Sequence, residues 1–138
     1  MIKYSEILLL FILLSKLKTK SLGLDNFEIL VAQRRALKKQ SEDNQEVVDG
    51  ILAQHNVKFD EKDPRFFDSE CKEEDTKAVN EKLKEFDKKT FETRKFLTKK
   101  NLQSIKDENN LSIEEYELLT EAFLKVTPDK EEGSKRKR

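Results

Sequence analysis

The feature that most constrains this chain is its one continuous apolar run, Ile7–Leu14, which reads Ile-Leu-Leu-Leu-Phe-Ile-Leu-Leu. Elsewhere charge dominates: 41% of the residues are Asp, Glu, Lys or Arg, so apolar material for a core is scarce outside the run. A transmembrane helix needs about 20 apolar residues to cross roughly 30 Å of hydrocarbon. The run is far shorter, and Lys16, Lys18 and Lys20 follow it at once. A short apolar segment behind Lys3 fits a secretory signal peptide. Small residues belong three and one positions before the cleavage point, and Ser21 and Gly23 supply them. Residues 1–23 are therefore expected to form a leader, with Leu24 as the first mature residue. Cleavage after Ser21, with Thr19 three positions before the cut, is the second choice. Glu6 and the three lysines run against this pattern. The competing reading is an uncleaved N-terminal helix, buried or anchored.

The 138 residues suggest one domain. Without the leader, about 115 remain, enough for a modest core. Basic and acidic residues number 28 each. Removing Lys3, Lys16, Lys18, Lys20 and Glu6 leaves 24 basic and 27 acidic residues, a net charge of −3. A mildly acidic mature protein has no bulk drive toward nucleic acid, so no nucleic-acid partner is expected. Three Gly and two Pro in the whole chain mean few turns, which argues against an all-β fold and for long helices. Cys71 is the only cysteine, so no internal disulfide forms. The carboxylates of Asp68, Glu70, Glu73 and Glu74 surround it and disfavour a thiolate.

The expected fold is an all-α bundle of three to five amphipathic helices over residues 24–128, followed by a disordered charged tail at 129–138. Asp25 or Asn26 caps the first helix, with Phe27, Leu30, Val31 and Leu37 on one face. Lys38–Glu46 contains no apolar residue. It either separates this helix from a second, carrying Val47, Val48, Ile51 and Leu52, or forms the polar waist of a single one. Asn56 ends the element, because Asn tolerates the left-handed C-cap conformation. Val57 and Phe59 are expected to tuck back against its last turn. Asp63-Pro64 is a further helix-start signal, and the acidic cluster Glu70–Asp75 is expected to face solvent. Val79, Leu83, Phe86, Thr90, Thr93 and Leu97 recur by threes and fours, close to a coiled-coil seam. With Leu102 and Ile105 they predict one helix from Thr76, about 45 Å long if unbroken. Asn109-Asn110 makes a turn. Ser112 and Glu115 then form a capping box, flanked by Leu111 and Tyr116 as a hydrophobic staple. Tyr116, Leu119, Phe123 and Val126 line one face of the last helix, and Thr127-Pro128 stops it. The predicted core is Leu30, Val31, Val48, Ile51, Leu52, Leu83, Phe86, Leu97, Ile105, Leu119 and Phe123.

Motifs that carry chemistry are scarce. His55 is the only histidine, so a Ser-His-Asp or Cys-His enzyme has to use it, and its sequence context orients nothing toward that work. One His and one Cys make no zinc cluster without carboxylates. Asp107-Glu-Asn109-Asn opens like a calcium loop, but Ser112 stands where the turn glycine belongs and Leu118 where the bidentate Glu belongs. No catalytic residue, metal ligand or cofactor site is expected. Asn110-Leu111-Ser112 is a glycosylation sequon, with Ser112 as a mere helix cap in the competing reading. Lys135, Arg136, Lys137 and Arg138 form a basic tail, either a nuclear-import or anionic-surface contact or a solvated end beside Asp129, Glu131 and Glu132. Arg35-Ala-Leu37-Lys38 partly resembles the Arg-x-Leu export tags of parasite and oomycete effectors, and departs from them at Lys38 and Lys39.

These observations favour a secreted helical protein-binding module of effector or accessory-factor type, with no enzymatic activity and a protein partner that the sequence does not name. One alternative is a lipid-binding or lipid-surface protein, whose Phe-rich stripes would open onto lipid. Another is a nuclear or cytoplasmic interaction protein using the basic tail, if the N-terminal run is not a leader. Oligomeric state is left open.

Overall fold

The computed structural model of the chain describes residues 1–125. Five helices and one two-stranded ladder follow in the order β1 (Ile2–Lys3), α1 (Tyr4–Lys16), α2 (Leu24–Gln54), α3 (Glu73–Asp87), β2 (Thr90–Phe91), α4 (Lys99–Asn109) and α5 (Ile113–Phe123). The fold is thus mostly helical, as the scarcity of helix breakers implied. The predicted tail at 129–138, Val126 and the Thr127-Pro128 stop lie outside the described residues.

The apolar run forms α1, and its continuity hides a helical division of labour. Ile7, Leu10, Leu13 and Leu14 are buried on one face, while Leu8, Leu9 and Ile12 are 53%, 61% and 48% exposed on the other. Glu6 Oε1 accepts the Lys3 backbone N–H at 2.9 Å, satisfying a donor at the start of the helix. Ahead of it, Ile2 pairs with Phe91 and Lys3 with Thr90 in an antiparallel ladder, and the Tyr4 N–H donates to the Lys89 carbonyl at 2.8 Å. The first residues are therefore joined to the middle of the chain by backbone bonds as well as by packing.

The main core brings together Ile2, the buried face of α1, Leu30 and Leu37 of α2, Phe96, Leu97, Leu102, Ile105, Leu119, Ala122 and Phe123. Phe96 and Phe123 meet edge to face, with centroids 5.4 Å apart. A second, smaller cluster joins Leu52, Val57 and Val79, with Val48, Ile51, Phe67, Cys71 and Leu83 against it. Of the predicted core, Leu30, Leu52, Leu97, Ile105, Leu119 and Phe123 are buried, whereas Val31, Val48, Ile51, Leu83 and Phe86 are only half-buried. Also buried are Ile2, Ile7, Leu10, Leu13 and Leu14, which were assigned to the leader, and Leu37, Val57, Val79, Phe96, Leu102 and Ala122.

Helix boundaries refine the sequence reading. The stretch Lys38–Glu46 does not break the helix: α2 is one element of 31 residues, about 46 Å long, with Gln40–Asn44 and Gln45–Asp49 side-chain bonds of 2.8 and 2.9 Å along that polar waist. It begins after Gly23, not at an Asp25 or Asn26 cap. Its end is as expected, with Asn56 at φ 54° and the Val57 N–H returning to the Leu52 carbonyl at 2.9 Å. Phe59 does not tuck back but stacks on Phe67, centroids 5.3 Å apart. Asp63-Pro64 opens a turn rather than a helix, with Asp63 engaged by Arg65.

The predicted long helix from Thr76 to Ile105 is corrected. It is two helices, α3 and α4, with β2 and an extended segment between them. Spacing alone permitted one helix, but Thr90, Phe91 and Thr93 are β-branched or aromatic and suit extended backbone, and Ile2–Lys3 offers them a ladder. The chain then stays extended through Phe96 and Leu97, whose N–H groups both donate to the Phe123 carbonyl at 3.0 and 2.9 Å. Thr98 restarts the helix as a reciprocal cap: its Oγ1 accepts from the Asn101 N–H at 3.1 Å, and Asn101 Oδ1 accepts from the Thr98 N–H at 3.0 Å. Upstream, Glu73, Glu74 and Asp75 are the first turn of α3, where carboxylates favour the positive end of the helix dipole.

Candidate functional site

A groove with a volume of about 360 Å³ lies between α1 and α5. Leu9, Ile12 and Leu13 from α1 and Leu118 from α5 give it an apolar floor, and Glu6, Lys16, Glu114 and Glu115 stand around it. α1 supplies this floor because its run is apolar on both faces: one face enters the core, and the other is left uncovered among the described residues. α5 supplies its side because Leu118 is off the Tyr116–Leu119–Phe123 stripe that packs inward. Ile113, also off that stripe, is 71% exposed at the start of the same helix.

The electrostatics of the groove are one-sided. Ile113–Phe123 contains Glu114, Glu115, Glu117 and Glu121 and no basic residue, and Glu114, Glu117 and Glu121 are exposed. Lys16 Nζ lies 3.3 Å from Glu115 Oε2, so the one cation that lines the groove among the described residues is already paired. Glu115 also accepts the Ser112 backbone N–H at 3.0 Å, and the Glu115 N–H donates to Ser112 Oγ at 3.1 Å. The Ser112 N–H and then Lys16 hold the Glu115 carboxyl below the ordinary glutamate range, so it stays charged at neutral pH.

A second constellation was missed in the sequence. Asn109 Oδ1 accepts the Lys18 N–H at 2.6 Å, and its Nδ2 donates to the Lys18 carbonyl at 2.7 Å. Next to it, the Glu108 carboxylate accepts from the Lys20 N–H at 2.9 Å and from Ser21 Oγ at 3.3 Å. The stretch that opens like a calcium loop thus holds down the α1–α2 connection, the segment in which leader cleavage was expected. Nothing in the local pattern signals this, because the partners are some ninety positions apart.

The residues singled out from sequence are scattered. Cys71 is half-buried in the second cluster, and its Sγ reaches the Lys58 carbonyl at 3.7 Å. His55 caps the C-terminus of α2, with Nε2 buried and without a hydrogen-bond partner among the described residues. No hydrogen bond described in the structure joins the two. Asn110 is exposed in the left-handed conformation at φ 52°, and Ser112 of its sequon is engaged as the α5 cap. Leu37 of the tag-like tetrapeptide is fully buried in the middle of α2. Lys135, Arg136, Lys137 and Arg138 lie outside the described residues. Among the described residues no group of three or more His, Cys, Asp or Glu converges as a metal site, and no helix is long and apolar enough to cross a membrane. Compared with known proteins, the chain matches no family model, no curated protein and no solved structure.

Proposed function

We propose that this chain is a helical protein-binding module whose docking surface is the α1–α5 groove. The observation that carries the reading is the exposure of Leu9 and Ile12, 61% and 48%, on a helix whose opposite face is the centre of the core. Exposed apolar side chains grouped beside charged ones mark interaction sites more often than isolated ones do. The reading assigns the protein no catalytic step. A lipid-surface role is less well supported, because the exposed edge of α5 is acidic and repels anionic headgroups.

The compartment follows from the fate of residues 1–23. Their removal, as secretion with leader cleavage requires, strips Ile2, Ile7, Leu10, Leu13 and Leu14 from the core and takes away one wall of the groove. Those burials favour the form in which the N-terminal segment is retained, and with it the nuclear or cytoplasmic alternative. Two measurements test the proposal. The N-terminus of the protein isolated from its source should lie before Tyr4, whereas Leu24 as the N-terminus of a folded protein would sink the retained form. Leu9→Ser with Ile12→Ser should abolish capture of the native partner without lowering Tm, and capture unaffected by the pair removes the groove as the docking surface.

A further inference from the structure

The proposed docking groove carries a second layer of information, the sign of its borders. Its floor of Leu9, Ile12, Leu13 and Leu118 is apolar, and the carboxylates Glu6 and Glu114 at its border, with Glu117 next along α5, form no ion pair among the described residues, whereas Glu121 further on lies beside the Met1 ammonium and Lys95. Lys16 adds nothing to attract an anion, since Glu115 already neutralises it at 3.3 Å. We infer that the groove takes an amphipathic helix whose apolar face is flanked by Lys or Arg. This rests on the reading of the groove as a protein-docking surface and narrows the partner within it.

Charge complementarity decides among the occupants. An acidic or neutral helix would desolvate the carboxylates of α5 without compensation. The chain's own basic tail matches the rim but not the floor, because residues 129–138 contain no apolar side chain. A helix in a groove is held by apolar anchors at i, i+3, i+4 and i+7. Basic residues beside those anchors meet the acidic edge of α5, raising the association rate and selecting against acidic competitors.

Two synthetic helical peptides test this on the full chain. Both are about 18 residues long, roughly 27 Å as helices, with Leu at i, i+3, i+4 and i+7, and with flanking positions all Lys in one and all Glu in the other. Fluorescence anisotropy should show the Lys peptide binding at least about ten-fold more tightly, with the difference shrinking as salt rises. Glu114→Lys with Glu117→Lys, both exposed and remote from the core, should reverse the order of affinities. Leu9→Ser with Ile12→Ser should weaken both peptides alike, and circular dichroism melts report that each variant is folded. Equal affinity for the two peptides, still lost in the Leu9/Ile12 variant, overturns the basic-partner inference while the groove reading stands. Binding of neither peptide by the folded wild-type chain overturns the inference. If capture of the native partner also survives the Leu9/Ile12 variant, the groove reading falls with it. Tighter binding to phosphatidylserine vesicles than to the Lys peptide overturns the inference in favour of a lipid surface. Reversible dimerisation abolished by the Leu9/Ile12 variant overturns it in favour of a second copy of the chain.

Discussion

Asn109 holds the α1–α2 connection through both ends of its amide, accepting from the Lys18 N–H and donating to the Lys18 carbonyl. Each such bond adds about 0.5–1.5 kcal/mol net. Asn109→Ala should therefore cost about 1–3 kcal/mol, read as a lowered urea midpoint. An equal midpoint would mean that the connection contributes nothing to stability. Glu115 belongs to the same scale. Its carboxyl is held below the ordinary range, first by the Ser112 backbone N–H and then by Lys16. Folding thus favours its ionised form. The stabilisation is fully present above the unfolded value, about 4.3 for glutamate, and is lost as pH falls through the depressed folded value. Glu115→Gln should flatten that acid limb in urea midpoints measured against pH, while leaving the pH dependence near neutrality unchanged. The Ser112–Glu115 cap was legible because both partners lie within four residues. The Asn109 clamp was not, because a side chain bonded some ninety positions away leaves no local pattern.

Four helix ends in this chain, at Asn56, Thr98, Asn110 and Ser112, obey local chemistry, and the break between α3 and α4 does not obey periodicity. Asn56 and Asn110 adopt the left-handed conformation at their helix ends, and Thr98 and Ser112 open α4 and α5 as reciprocal caps. Thr98 with Asn101 is a local start signal, masked in the sequence by apolar spacing that continues across it. A proline scan separates the two readings. Glu81→Pro, in the middle of α3, should cost about 3 kcal/mol, since it removes a helical hydrogen bond and clashes with the preceding turn. Glu92→Pro should cost far less, because Glu92 is outside any helix and Phe91 before it already has strand geometry. Equal, large losses at both sites would restore the single long helix. The same reasoning explains α2: its polar waist was ambiguous because helix propensity stays high through Lys38–Glu46 while no apolar residue marks an inner face.

For the whole molecule, the decisive question is whether residues 1–23 belong to the folded protein. Leu10 is fully buried, and Leu9 is 61% exposed. Leu10→Ala should cost about 2–5 kcal/mol and Leu9→Ala within about 0.5 kcal/mol, whereas a chain that discards its leader shows no stability change from either. Residues 24–138 expressed alone should lack a cooperative thermal transition, because the main core loses Ile2, Ile7, Leu10, Leu13 and Leu14 together. A sharp melt of that fragment would show that it builds a core without them. The sequence by itself determined the class of structure: few breakers, amphipathic spacing and local caps make helices wherever they occur, since those interactions close within four or five residues. It also determined that Ile7–Leu14 has no polar face to offer water, so that part of the run has to be buried. Where the run goes was decided only by tertiary structure. Burial against Leu30, Leu97 and Phe123, the ladder from Ile2 to Phe91, and the groove left on the uncovered face all depend on contacts between distant parts of the chain. An apolar run records the need for an apolar partner, but not whether that partner is a bilayer, a receptor or the protein's own interior.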